Sequence, residues 1–184
     1  MFAAHVKRMM SMSQKQDKIN YIITSAIIAA CYVALTFISN LFGLAYGPIQ
    51  LRISEVLTIL PVFTSAAIPG LSIGCFISNF ASFNILDIFF GTFATLAAAI
   101  LTYMLRNIKF KKIPLLAFFP PVIINALIIG LEISVFFLPE GFTLYGFIIS
   151  GLEVGAGQLI VCYALGIPAY IAISKYGIFK SSNK

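Results

Sequence analysis

The chain has 184 residues, of which 60% are hydrophobic and 10% charged, against roughly 45–50% and about 25% in an average soluble protein. Twelve basic and six acidic side chains are too few to coat a soluble domain of this size, and the mean hydropathy is +1.02. Composition therefore excludes a disordered chain, a nucleic-acid module and an ordinary soluble enzyme, and it points to one integral membrane domain.

The net charge of +6 does not form a phosphate-binding face. Lys7, Arg8, Lys15 and Lys18 lie in an N-terminal tail, Lys175, Lys180 and Lys184 at the C-terminus, and Arg106, Lys109, Lys111 and Lys112 in one linker. This is the distribution of a membrane topology signal rather than of a nucleic-acid footprint. The first 18 residues are polar and basic, and the apolar run after them is too long for a signal-peptide core, so residues 1–18 are expected to form a mobile cytoplasmic tail. Cys31, Cys75 and Cys162 all sit in apolar runs, and their odd number argues for small packing residues rather than a disulfide framework.

A bilayer core of about 30 Å needs about 20 apolar helical residues. The first run is Ile19 to Phe42, followed by a loop holding Gly43, Tyr46, Gly47, Pro48, Gln50 and Arg52. The next, Ile53 to Ser82, carries Pro69-Gly70, a turn signal that is expected to divide it into two short helices. Ile85 to Leu105 follows and ends at the basic linker Arg106–Lys112. Then come Ile113 to Leu138, with Pro120-Pro121, and about Phe147 to Ser174, with Pro168. The basic tail, linker and C-terminus must share the cytoplasmic side, so an even number of spans separates them. Dividing the 53–82 run satisfies that rule. The expectation is an all-α bundle of six transmembrane helices over residues 19–175, with both termini cytoplasmic and a C-terminal tail over 176–184.

Ionisable residues within spans are costly and are functional hypotheses by default. Glu55 and Asp87 open helices at their outer ends, Glu132 lies about six residues, roughly 9 Å, from the outer end of its helix, and Glu153 lies at a similar depth in the last one. With Arg52 in the first outer loop, all fall in the outer half of the bilayer, as a pocket opening outward would require. The competing readings are a local Arg52–Glu55 pair and N-capping by Asp87, with Asn84 as a rival cap. Neither Glu132 nor Glu153 has a Lys or Arg within one helical turn. Asn125 shares a helix face with Glu132, while Asn79 and Gln158 add hydrogen-bonding amides, for which plain interhelical bonding is the alternative. Tyr46, beside Arg52, offers an aromatic face for a planar ligand or an anchor at the interface. Ala26, Ala30 and Ala34 form a small-residue ridge, which packs within the chain or against a partner subunit.

Catalytic machinery is not evident. The chain has no G-x-x-x-x-G-K-[ST] and no H-E-x-x-H, and its one histidine, His5, lies in the tail, so neither P-loop ATP binding nor zinc-protease chemistry is expected, and no cofactor or metal is expected. Uphill transport would then draw on a partner or on an ion gradient.

Four stretches carry a resemblance. Tyr46-Gly-Pro-Ile-Gln-Leu-Arg-Ile-Ser-Glu-Val-Leu-Thr-Ile-Leu-Pro61 is the most specific, supported by Ala67-Ile-Pro-Gly-Leu-Ser-Ile-Gly-Cys75, Asp87-Ile-Phe-Phe-Gly-Thr92 and Gly157-Gln-Leu-Ile-Val-Cys-Tyr163. Together they resemble the queuosine-precursor transporter (QueT-type) family, across roughly residues 20–175. The resemblance implies an S component of an energy-coupling factor transporter: a six-helix membrane protein that binds a vitamin-like solute near the outer face and docks on a transmembrane coupling subunit and two ATPase subunits. It implies that the Ala26, Ala30 and Ala34 ridge is the docking face and that the loop 43–52 closes over the solute. The implied cargo is a 7-deazaguanine base, whose N–H edge a carboxylate such as Glu132 or Glu153 accepts in a bidentate pair. Asp87 or Glu55 would meet the cation of an aminomethyl precursor, Arg52, Gln158 or an Asn the carbonyl oxygen, and Tyr46 the ring face. The alternatives are an S component for another vitamin, a standalone secondary carrier, and an assembly protein without a ligand.

Overall fold

A computed structural model describes residues 2–43, 51–80 and 85–179, with side chains from residue 12 onward. Helices account for most of it. In chain order they are α1 (Phe2–Leu41), a 3-10 helix (Ile53–Val62), α2 (Ala67–Asn79), α3 (Ile85–Leu105), a short 3-10 turn (Leu115–Phe118), α4 (Phe119–Phe136), α5 (Leu144–Ile160), a π-helical turn (Val161–Leu165) and α6 (Gly166–Tyr176). Met12–Leu41, Ile85–Leu105, Leu115–Phe136 and Leu144–Tyr176 are each long and apolar enough to cross a membrane. The 3-10 helix and α2 are shorter apolar helices, each about 20 Å long at the rise of its helix type.

Element boundaries follow from local chemistry. Gly43, at φ +68°, closes α1 by donating its N–H to the Asn40 carbonyl at 2.9 Å, and Gly177, at φ +66°, caps α6 in the same left-handed conformation, which glycine adopts without a Cβ penalty. α1 begins at Phe2, so the segment expected to be a tail is helical and continuous with the first span. Pro69-Gly70 does not divide the second apolar run. The break falls at residues 63–66, and Pro69 sits in the first turn of α2, where a missing N–H costs no helical bond. Pro120 and Pro121 likewise open α4. Pro168 cannot donate to the carbonyl four residues before it, and the π turn immediately precedes its helix. In the basic linker, Lys111 and Lys112 both have positive φ, and Phe110 and Ile113 exchange backbone hydrogen bonds across them at 2.8 and 3.0 Å.

Small residues let neighbouring helices meet closely. A Cβ on Gly70 would stand 2.8 Å from the Ser25 carbonyl oxygen, and one on Gly74 would stand 2.8 Å from the Tyr32 Cβ, which seats α2 on α1. A Cβ on Gly130 would meet the Gly151 Cα at 2.7 Å, which does the same for α4 and α5. The inward face of α1 is therefore Ser25, Ile28, Ala29, Tyr32, Thr36 and Ser39, all buried. Ala26, Ala30 and Ala34 lie on the opposite, exposed face. One apolar core, around Tyr32, Leu60, Leu71 and Ala99, joins α1, α2, α3 and the 3-10 helix. A second surrounds Phe118 and Tyr170, and a third, of Ala94, Ile129 and Val154, joins α3, α4 and α5.

Candidate functional site

The ten-residue 3-10 helix builds the centre of the site. Such helices rarely exceed three or four residues, and they superpose side chains three positions apart. Here that spacing sets Arg52, at the N-cap, in line with Glu55 and Thr58, and all three are buried. β-branched Ile53, Val56, Thr58 and Ile59, together with Pro61, disfavour a regular α-helix over this stretch.

The polar side chains are tied to one another. Glu55 accepts hydrogen bonds from the Tyr32 hydroxyl and from Gln158 Nε2 at 2.8 Å. Arg52 Nη1 donates to Asn79 Oδ1 at 3.0 Å. The Asn79 amide nitrogen donates to the Asp87 carbonyl at 2.8 Å and to Cys75 Sγ at 3.5 Å. Below this layer, Gln158 Nε2 also reaches Cys162 Sγ at 3.4 Å, and Cys162 lies 3.7 Å from Thr58 Oγ1. Thr36 and Ser54 share a buried hydroxyl pair at 2.7 Å.

These groups surround a cavity of about 20 Å³, lined by Arg52, Glu55, Asn79, Asp87, Asn125 and Gln158 among its polar residues and by Cys75, Gly91, Ile129 and Val154 among its small or apolar ones. The volume holds about one water molecule, so the side chains are packed against one another. One guanidinium and two carboxyls line it. Glu132 is a third acid beside it. It is fully buried, neither carboxyl oxygen has a hydrogen-bond partner among the described residues, and it interacts with Asp87 and with Arg52. Gly91 is required by the packing, because a Cβ there would stand 2.5 Å from Asn79 Nδ2.

Six of the side chains expected at a site, Arg52, Glu55, Asn79, Asp87, Asn125 and Gln158, thus converge from five helices. Glu132 stands behind Asp87 rather than in the cavity wall. Glu153 is half-buried on α5 and does not line the cavity, where its neighbour Val154 does. Tyr46 and Gln50 lie outside the described residues. The local Arg52–Glu55 contact gives way to longer-range bonds, Arg52 to Asn79 and Glu55 to Tyr32 and Gln158. Asp87 occupies the first turn of α3, where the helix dipole favours a carboxylate. Tyr32, Thr58 and Thr95, which also lines the cavity, are not among the residues expected at a site, and the thiols of Cys75 and Cys162, expected as apolar packing, touch the polar network. The three-residue spacing of Arg52, Glu55 and Thr58 was the available signal for Thr58. Tyr32 carried none, being one tyrosine among eight. Among the described residues no group of three His, Cys, Asp or Glu is placed to hold a metal ion.

A family model described as QueT transporter matches residues 22–175. A curated relative, the "Queuosine precursor transporter QueT" of Lactococcus lactis subsp. cremoris (strain MG1363), is 43% identical over 98 residues, which is 53% of this chain and 57% of the relative. The chain therefore spans less than two thirds of that relative's length. No solved structure matches the chain. With four helices able to cross a bilayer, the chain is a multi-pass protein of the plasma membrane.

Proposed function

This chain belongs to the QueT transporter family, and we propose that it is the solute-binding S component of an energy-coupling factor importer, taking up a queuosine precursor, a 7-deazaguanine base. Its partners are a transmembrane coupling subunit and two ATPase subunits that supply the energy. Both termini face the cytoplasm, and the short 3-10 helix and α2 complete six membrane segments.

The observation that carries the reading is the convergence of Arg52, Glu55, Asn79, Asp87, Asn125 and Gln158 on one cavity inside an apolar bundle. Side chains this expensive to bury in a membrane protein mark a solute path or site. A deazaguanine offers adjacent N–H donors, a carbonyl acceptor and a flat ring. Carboxylates accept from the donors, and Arg52, Gln158 or one of the Asn side chains donates to the carbonyl. Asp87, backed by Glu132, gives the site an excess of acid that suits a cationic aminomethyl side arm. Tyr46 stacks on the ring from the loop 43–52, which closes over it. At about 20 Å³ the cavity is too small for a bicyclic base, so binding parts the packed side chains, and the Glu55–Gln158 and Arg52–Asn79 bonds are exchanged for bonds to solute. The exposed Ala26, Ala30 and Ala34 ridge then docks the loaded chain on the coupling subunit, since small residues permit close helix approach.

Calorimetric titration of the purified chain with queuine and the aminomethyl and cyano deazaguanines tests this, with guanine, thiamine and riboflavin as controls. One-to-one binding of a deazaguanine is the expected result. Binding of a control vitamin instead would keep the class and discard the cargo, and transport by the chain alone in vesicles driven by an ion gradient would replace the S component with a carrier.

A further inference from the structure

A second cavity, of about 420 Å³, lies where the 3-10 helix, the linker after α3 and the end of α6 meet. One wall is aromatic. Phe63 stacks between Tyr170, at 5.1 Å between ring centroids, and Phe179, at 6.0 Å. The rim is basic and polar, formed by Arg106, Asn107, Lys109 and Ser174. None of the six acidic residues of the chain lines it. Arg106 lies over the Tyr103 ring, its Cζ 3.5 Å from the centroid, and spends one donor on the Tyr103 carbonyl at 3.2 Å. Its other N–H groups and the Lys109 ammonium have no acidic partner among the described residues. The Tyr170 hydroxyl donates to the Lys112 carbonyl at 3.3 Å, which fastens α6 to the basic turn and fixes the cavity's shape.

The level of this cavity is marked by the last residues of α3 and α6, both of which end there. Tyr176, Phe110 and Ile178 are strongly exposed around it, as aromatic and apolar side chains are at a membrane–water boundary. Topology alone calls for cations in this linker. It does not call for a cavity with an aromatic wall beside them. A free phosphate would use the rim and leave the wall idle, whereas a lipid uses both, setting its phosphate on the cations and its glycerol and first methylenes on the rings. Basic pockets between membrane helices on the cytoplasmic side suit anionic headgroups. We propose that this cavity binds the phosphodiester headgroup of an anionic phospholipid, with Arg106 and Lys109 as its ligands. The assignment is independent of the solute carried in the other cavity.

Native mass spectrometry of the full chain in neutral detergent tests it, with short-chain phosphatidylglycerol, phosphatidylcholine and inorganic phosphate as probes. Phosphatidylglycerol is expected to bind more tightly than phosphatidylcholine. The double substitution Arg106→Gln with Lys109→Gln is expected to weaken it about thirty-fold, and the exposed Lys109→Gln alone about five-fold, which keeps the test usable if the double variant does not fold. Lys15→Gln with Lys18→Gln removes the same charge elsewhere and leaves the preference intact. Equal binding of the two lipids, or an unchanged preference in Lys109→Gln, would overturn the proposal. So would displacement of the lipid by inorganic phosphate at matched concentration, which would make free phosphate the ligand.

Discussion

Glu55 and Gln158, 103 residues apart in the chain, are joined by a 2.8 Å hydrogen bond inside the bundle. It links the 3-10 helix to α5, and the same carboxylate holds the Tyr32 hydroxyl of α1. Both partners are donors, so both require an acceptor. Glu55→Gln leaves one acceptor oxygen for the two of them, so either the Tyr32 hydroxyl gives up its donated bond to accept from the new amide or a buried donor goes unpaired. The expected cost is about 1–3 kcal/mol of stability, read as a lower melting temperature in detergent. Tyr32→Phe removes a single donor and is expected to cost less.

Asp87 and Glu132 divide affinity from stability. Asp87 lines the cavity, and Asp87→Asn should weaken an aminomethyl deazaguanine about ten-fold or more, the worth of a charged hydrogen bond, while barely changing the neutral cyano form. Glu132 is buried with neither oxygen hydrogen-bonded among the described residues, an arrangement that costs stability. Glu132→Gln should therefore raise the melting temperature of the solute-free chain. Calorimetry with both bases, alongside melting curves, separates the two effects. A lower melting temperature in Glu132→Gln would mean that the carboxyl is held by the fold rather than kept for a ligand.

The legible part of this structure was what polarity dictates. Residues that are costly in a bilayer had to gather, and six of those expected to meet do so. The four long apolar helices were readable because a long apolar run has few other uses. The Pro69-Gly70 division was misplaced because that pair reads equally as a turn or as a helix start, and only the seat of Gly70 on the Ser25 carbonyl favours the second. Glu153 does not line the cavity, because a shift of one residue along α5 turns a side chain by about 100° around the helix, and it is Val154 that faces it. The 3-10 geometry of Ile53–Val62 was invisible to hydropathy, although the Arg52, Glu55, Thr58 spacing carried it.

Gly91 tests whether the network tolerates a single methyl group. A Cβ there would stand 2.5 Å from Asn79 Nδ2, and that amide sits between the Arg52 guanidinium and the Asp87 carbonyl. Gly91→Ala has no helix-propensity cost and should even favour α3 by about 1 kcal/mol. The amide must turn away, so Arg52 loses its Asn79 partner. The expected outcome is a small change in melting temperature with a large loss of solute affinity. A variant that binds as tightly as the parent chain would show that the Asn79 position is not part of the site.

Ala30 tests the outer face of α1. It is exposed, along with Ala26 and Ala34, whereas the inward contacts of the helix run through Ser25, Ala29 and Tyr32. Ala30→Leu therefore meets no packing within the chain, and melting temperature and solute titration should stay at parent values. A leucine would hold a second helix off, since close approach needs small residues on the contact line. Copurification with the coupling and ATPase subunits should fall sharply, and ATP-driven uptake in reconstituted vesicles with it. A full complement of partners on the Ala30→Leu chain would mean that this ridge faces lipid alone and that docking uses another surface.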